Sequence, residues 1–148
     1  MAKFEDLDVW KRSARLSADI YKALINLKDY GFKDQITRSG LSIPSNIAEG
    51  MERESPKECI NFLSYAKGSC GELRTQVYIG MDIGYVNEQS GKLWINETRE
   101  ISAMLVGLMR SIKHNNLKQY FEKNDSYTPN TIKNRSSSYY SDIFSKAG

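Results

Sequence analysis

Apolar residues recur at intervals of three and four along most of the chain, which is the period of an amphipathic α-helix. Four segments follow this pattern, and none alternates apolar and polar residues as a half-buried β-strand does. The first spans residues 7–27, with Asp6 as its expected N-cap and Tyr30-Gly31 as the stop that follows. The second spans residues 33–53, and its wide apolar arc predicts more than one packing partner.

The third and fourth segments carry the clearest boundary residues. Residues 55–58, Ser-Pro-Lys-Glu, form a capping box with proline at the first helical position, and Gly84 is a natural C-terminal cap. The fourth helix is expected to begin near residue 87 or 90 and to reach at least His114. Because the connections are short, neighbouring helices should be antiparallel. The pattern therefore predicts an all-α fold, an antiparallel up-down-up-down four-helix bundle, over residues 1–114.

Residues 42–50, Ser-Ile-Pro-Ser-Asn-Ile-Ala-Glu-Gly, are the most unusual stretch of the second helix. Pro44 removes one helical hydrogen bond and crowds the carbonyl of Gly40, which predicts a bend. Asn46 and Glu49 lie one turn apart, where we expect them to satisfy each other and nearby backbone groups. We interpret the stretch as a structural polar network with these members: Ser42, Pro44, Asn46, Glu49 and Gly50, joined by Ser69 and Glu72 of the third helix. The open alternative is a contact site for a partner or a nucleic-acid backbone.

Residues 115–148 differ in composition from the rest, being rich in Ser, Asn, Tyr and Lys and lacking helical periodicity over most of their length. We expect a polar, basic C-terminal extension outside the bundle, either flexible or docked on a partner. Tyr140, Ile143, Phe144 and Ala147 have the spacing of one face of a short helix, which would dock on a partner or on the bundle itself. The alternative is a tail without a docking role.

The positive charge of the chain is concentrated in this C-terminal part. The 148 residues carry a net charge of +3, and residues 113–148, with six basic and three acidic residues, account for all of it. The candidate contacts with nucleic acid are nine basic residues: Lys11, Arg12, Arg15, Lys22, Arg38, Lys118, Lys123, Lys133 and Arg135. Tyrosines interleave with the last four, a combination that suits RNA. A solvated helix face and a soluble tail explain the same residues equally well.

Several classes of function lack the residues that they need. His114 is the single histidine, so neither a bundle-type di-iron site nor Ser-His or Cys-His catalysis is expected. Cys59 and Cys70 on one helix would be about 16 Å apart, which is too far for a disulfide or a shared metal. We therefore expect no enzyme, no metal and no cofactor. The chain shows no signal-peptide pattern and no apolar run of about 20 residues, which predicts a cytoplasmic location.

Once the helices are placed, several motifs resemble a known family. They are Leu-Asp-Val-Trp-Lys at residues 7–11, the stretch 42–50 with Arg38 ahead of it, a set of positions within residues 62–76, and Gly-Tyr at residues 84–85. Together they resemble the bacterial four-helix-bundle proteins encoded in intervening sequences of large-subunit ribosomal RNA genes. The resemblance covers roughly residues 4–114, and the Ile-Pro-Ser-Asn-Ile-Ala-Glu-Gly run is its most specific part.

The resemblance implies a small non-enzymatic bundle that assembles into a homopentamer. The family is also similar to the accessory variability determinant of diversity-generating retroelements, a basic pentameric bundle that binds nucleic acid and a reverse transcriptase. We therefore expect a non-catalytic oligomeric adaptor for RNA or DNA, with a reverse transcriptase as a candidate partner. The alternative is a protein-interaction scaffold that binds no nucleic acid and uses its C-terminal tail as the docking element. No membrane partner is expected.

Overall fold

The computed structural model describes residues 3–123, and this part of the chain is entirely helical, without a strand. A short 3-10 turn, Phe4–Asp6, precedes four helices: α1 (Asp8–Ala23), α2 (Tyr30–Met51), α3 (Pro56–Asp82) and α4 (Glu88–Lys123). The predicted all-α four-helix fold is confirmed.

Consecutive helices pack against each other in opposite directions. Phe32, near the start of α2, lies against Gly80 near the end of α3, whereas Gly50, near the end of α2, lies against Cys59 near the start of α3. The same reversal relates α3 to α4, where Met81 lies against Gly91 and the earlier Arg74 lies against the later Thr98. The connections of four to six residues between the helices permit only such antiparallel neighbours.

The core is formed by one continuous cluster of apolar side chains from all four helices. Its fully buried members include Ile20, Ile36, Ile43, Ile47, Leu63, Leu73, Val77, Ile101 and Leu105. Burying each such side chain contributes about 1.5–3 kcal/mol. Thr98 is the one fully buried threonine of this part, and its hydroxyl donates to the carbonyl of Ile95 at 2.7 Å, which satisfies it inside the core.

The predicted stop between the first two helices is wrong. Tyr30 and Gly31 form the first turn of α2, because the Asp29 carboxylate accepts a hydrogen bond from the Phe32 backbone N–H at 3.1 Å and caps the helix there. An aspartate in this position outweighs the helix-breaking tendency of the glycine that follows. The predicted N-cap of α1 is also wrong, since Asp6 belongs to the preceding 3-10 turn and Leu7 takes the cap position without a side-chain hydrogen bond.

The predicted boundaries of α3 and the start of α4 are confirmed. Ser55 Oγ accepts from the Glu58 backbone N–H at 3.4 Å. Gly84 has φ of 80°, and the backbone N–H of the next residue, Tyr85, donates to the Gly80 carbonyl at 2.8 Å, which closes the helix end. Asn87 caps α4, because its side-chain oxygen accepts from the Ser90 N–H at 2.7 Å.

Helix α4 continues past the predicted bundle boundary at residue 114 without a break and reaches Lys123. Leu117 is buried, so the first part of the expected extension still packs as a helix. Residues 1–2 and 124–148 lie outside the described part of the chain. Four predictions fall there: the nucleic-acid contacts at Lys133 and Arg135, the docking face at residues 140–147, and the extension as a separate unit. All of these stay predictions.

Candidate nucleic-acid interface and neighbouring sites

A partly buried polar network joins α2 to α3. The Ser42 and Ser69 hydroxyl oxygens lie 3.0 Å apart across the two helices. Asn46 Nδ2 donates to the Ser42 carbonyl at 2.8 Å and to Ser42 Oγ at 2.9 Å. Because Ser69 is buried, its hydroxyl needs this partner, and the network fixes the register of the two helices.

Glu49 and Glu72 lie outside this network. Glu49 Oε1 accepts from Arg53 at 3.0 Å on the exposed side of α2, so Asn46 and Glu49 do not bind each other. Glu72 is exposed and lies at the mouth of a polar cleft beside Ser42. The expected pairing of Asn46 with Glu49 is therefore replaced by pairing of each with a residue four positions away on its own helix.

Pro44 and Gly50 serve packing. Helix α2 continues through Pro44, which is buried and faces α1. Gly50 lies where a Cβ atom would be 3.0 Å from both the Cys59 carbonyl oxygen and Phe62 Cβ. A side chain at Gly50 would thus press on the backbone of α3, so the glycine permits the two helices to approach closely here.

The polar cleft between α2 and α3 has a volume of about 470 Å³. Its lining residues are Asp34, Gln35, Arg38, Ser39, Ser42 and Glu72. The Arg38 guanidinium is already paired with the Asp34 carboxylate at 2.9 Å. The charge that sequence analysis assigned to nucleic acid at Arg38 is therefore compensated within the chain.

Three basic residues lie on the outer surface of α1. Lys11, Arg15 and Lys22 are exposed, and their spacing of four and seven positions places them within one narrow arc of the helix. We call these three residues the basic stripe. Ala18 lies in the same arc between Arg15 and Lys22.

Arg12, the fourth predicted contact on α1, faces α4 and is partly exposed. Its guanidinium forms ion pairs with Glu97 and Glu100 of α4. The hydrogen bond to Glu97, followed by that to Glu100, raises the pKa of Arg12 above its ordinary value. Arg12 therefore links α1 to α4, and the two carboxylates of α4 compensate its charge. Arg15 lines a small cleft of about 300 Å³ beside the same two carboxylates.

Two further predicted contacts lie at the end of α4. Lys118 Nζ lies 3.9 Å from Glu122 Oε1, both on the exposed surface. Lys123 is exposed at the last described turn. Lys118 lies about 27 Å further along α4 than Glu100, the partner of Arg12, so these side chains are well separated from the basic stripe along the bundle axis.

An apolar groove between α1 and α2 is the feature that sequence reasoning missed. Its volume is about 490 Å³, and we call it the α1–α2 groove. The lining residues are Phe4, Trp10, Ala14, Ser17, Ala18, Tyr21, Leu41, Pro44, Ser45 and Ala48. Tyr21 remains 43% exposed and Leu41 48% exposed within it. The wide apolar arc of α2 was the available signal, since it predicted a second packing partner.

The described residues offer little for catalysis. Within residues 3–123 no group of three or more His, Cys, Asp or Glu side chains is arranged to hold a metal ion. Cys59 and Cys70 are buried free thiols, and burial raises the pKa of Cys70 to about 11. A thiol of that pKa is a poor nucleophile at neutral pH. None of the described helices is long and apolar enough to cross a membrane.

Comparison with known proteins connects this chain to one family. The family model described as 23S rRNA-intervening sequence protein matches residues 5–107. A crystal structure of a protein of unknown function from the S23 ribosomal protein family of Bacteroides thetaiotaomicron is similar, with a TM-score of 0.64 and 28% sequence identity. The similarity covers 68% of this chain and 97% of that one. No curated protein matches the chain.

Proposed function

Since the chain belongs to the 23S rRNA-intervening sequence protein family, we propose that it is a non-catalytic, homo-oligomeric adaptor that binds RNA. A nucleic-acid enzyme such as a reverse transcriptase is the protein partner that we propose, by similarity to the retroelement accessory proteins. The family description ties these proteins to ribosomal RNA genes, which supports an RNA-related role.

The observation that carries the proposal is the basic stripe on α1. Lys11, Arg15 and Lys22 project from one face of a helix that packs on the bundle with its other face. Exposed cations bind phosphates without any specific contact to a base. Arg12 faces α4 and is paired there with two carboxylates, so three residues and not four form the proposed contact.

Three charges on one chain give weak binding, and an oligomer multiplies them. In a homopentamer, the state that we propose by resemblance, the stripe would be present five times around a ring. Tethered copies raise the effective concentration of each contact to about the millimolar range. The combined affinity should fall steeply as salt increases, because each phosphate contact releases a counterion.

The test compares two variants with the same change in charge. Lys11→Glu/Arg15→Glu/Lys22→Glu removes the stripe, and Lys57→Glu/Lys67→Glu/Lys92→Glu places the same six-unit change on α3 and α4. We expect the RNA affinity of the stripe variant to fall at least tenfold at low salt. The affinity of the matched variant should fall less, because its three lysines lie outside the basic stripe. Arg12 is left unchanged, since reversing it would place three carboxylates together.

Equal losses in the two variants would show that net charge alone governs binding, and the proposed contact surface would be wrong. Absence of RNA binding by the unchanged protein at low salt would reject the RNA role altogether. Mass measurement of the intact assembly tests the pentamer separately, so a failed RNA experiment leaves the oligomer to be judged by its own result.

A protein-interaction scaffold is the second candidate. Residues 55–112 carry six basic and six acidic residues, and both Arg12 and Arg38 form ion pairs with carboxylates of the chain. This balance favours a partner that is a protein over one that is nucleic acid. Capture of a reverse transcriptase that survives in high salt and in the stripe variant would support the scaffold.

A further inference from the structure

The α1–α2 groove is an apolar surface of about 490 Å³ that the described residues leave open. Trp10 forms one end together with Phe4, whose ring lies edge-on at 5.2 Å between centroids. Small residues, Ala14 and Ala18, form the floor on α1. A trough with a small-residue floor and large apolar walls has the shape that accepts one face of another helix.

The end of α4 brings the rest of the chain within reach of this groove. Glu100 of α4 pairs with Arg12, two positions along α1 from the groove residue Trp10, and α4 continues 23 residues further to Lys123. At about 1.5 Å per residue, Lys123 lies about 35 Å along the bundle axis from this pair. The end of α4 projects towards the end of the bundle where α1 begins, because consecutive helices alternate in direction and α1 and α4 therefore run in opposite directions.

The chain beyond Lys123 contains one segment with a matching apolar face. Tyr140, Ile143, Phe144 and Ala147 are spaced as positions i, i+3, i+4 and i+7, whereas the residues from 124 to 139 lack such a pattern. We propose that residues 140–147 bind as a short helix in the α1–α2 groove of the same chain. The inference is independent of the proposed RNA binding.

The length of the connection fits this arrangement. Sixteen residues lie between Lys123 and Tyr140, and the seventeen Cα-to-Cα steps that join the two span about 56 Å when the chain is fully extended. A flexible chain of that length has a root-mean-square span of about 23 Å. The distance of about 35 Å back to the groove lies between these values, so the connection reaches without being fully stretched.

Because residues 140–147 are tethered to the bundle, a segment of only eight residues is sufficient for binding in the groove. An isolated helix of eight residues is unstable in water, so the segment would form its helix only on docking. A tether of this length gives an effective concentration of about a millimolar, which a free peptide would rarely reach. Docking would bury Tyr21 and Leu41, which are about half exposed in the open groove.

Disulfide trapping in the full chain tests the proposal directly. Ala18→Cys/Phe144→Cys places one thiol on the groove floor and one on the docking face. Thr75→Cys/Phe144→Cys is the matched control, since Thr75 is exposed on α3 away from the groove. The native thiols Cys59 and Cys70 are buried and should not interfere.

Under mild oxidation we expect the groove pair to close within one chain at least tenfold faster than the control pair. Adding Ile143→Asp should abolish this advantage, and adding Ser145→Asp, on the opposite face of the segment, should preserve it. Equal rates for the two pairs would overturn the proposal, as would a faster groove pair that Ile143→Asp leaves unchanged. Cross-linked dimers in place of closed monomers would also overturn it, by assigning the groove to a second copy.

Discussion

Helix α2 has two neighbours, and it packs against them in different ways. Towards α3 the backbones meet so closely at Gly50 that a Cβ atom would press on the Cys59 carbonyl, and a serine–asparagine network crosses between the helices. Towards α1 the helices leave the α1–α2 groove of about 490 Å³, with Leu41 half exposed in it.

The difference separates the part of the molecule that determines the fold from the part that is available for binding. The α2–α3 contact contains Ser42, Asn46 and Gly50 from the stretch 42–50. The hydrogen bonds of the two polar side chains and the close packing at the glycine are all made within the chain. Helix α1 contributes the basic stripe and one side of the groove, including its floor, and the described residues leave both of them uncovered. Substitutions should therefore affect stability on one side of α2 and binding on the other.

The largest difference in the free energy of unfolding is expected between two leucine-to-alanine substitutions, one in the core and one in the α1–α2 groove. Leu63→Ala in the core of α3 should lower the free energy of unfolding by about 2–5 kcal/mol, because it leaves a cavity in a fully buried site. Leu41→Ala in the groove should cost about 0.5 kcal/mol in the absence of an occupant. Chemical denaturation of both variants measures the difference, and similar losses would mean that the groove is filled.

A second pair of variants tests the close approach. Gly50→Val should destabilise the protein by about 1–3 kcal/mol, since its side chain would overlap α3. Gly68→Val is the control, because no atom lies within 4 Å of a Cβ at Gly68, and valine there should be neutral or slightly stabilising. Thermal unfolding distinguishes the two. A neutral Gly50→Val would show that the helices can separate at little cost.

The polar network should contribute less than the close packing. Asn46→Ala removes two hydrogen bonds to Ser42 and should cost about 0.5–1.5 kcal/mol. Glu49→Ala removes only an exposed ion pair with Arg53 and should cost less than about 0.5 kcal/mol. Unfolding and assembly are measured together. If both variants keep their stability and assembly but lose partner binding, the structural role of this pair is wrong.

The smallest effect is confined to alkaline pH. Burial raises the pKa of Cys70 from 9.0 to about 11, so the folded protein holds the thiol proton more tightly than the unfolded chain. Its contribution to stability is fully present below pH 9 and is lost as the pH rises from 9 through 11. Comparing the pH dependence of unfolding with that of Cys70→Ala isolates this loss. Identical alkaline slopes would show that the thiol is accessible to water in the native state.

Helix existence and class were predictable because they depend on local periodicity. The capping box at Ser55 and the glycine at residue 84 also determine their helix ends through bonds to residues only three to five positions away. The prediction of a helix stop at Tyr30-Gly31 was wrong for a related reason. Two local signals competed there, and the cap from Asp29 was the stronger.

The pairing of polar side chains was less predictable. The partner expected for Asn46 was one turn along on its own helix, and its actual partner was Ser42, in the opposite direction and held by Ser69 of α3. Arg12, Lys11 and Arg15 look alike in sequence, yet Arg12 alone is neutralised by carboxylates more than 80 positions away. Pairing across that separation depends on how the helices are packed.

The sequence by itself determined the four helices, their order and the family, since each depends on short-range patterns that survive without tertiary contacts. Only the tertiary structure decided which charges are left for a partner and where the apolar surface remains open. Both depend on the rotation of each helix about its own axis, and that rotation is set when the cores of neighbouring helices are packed together.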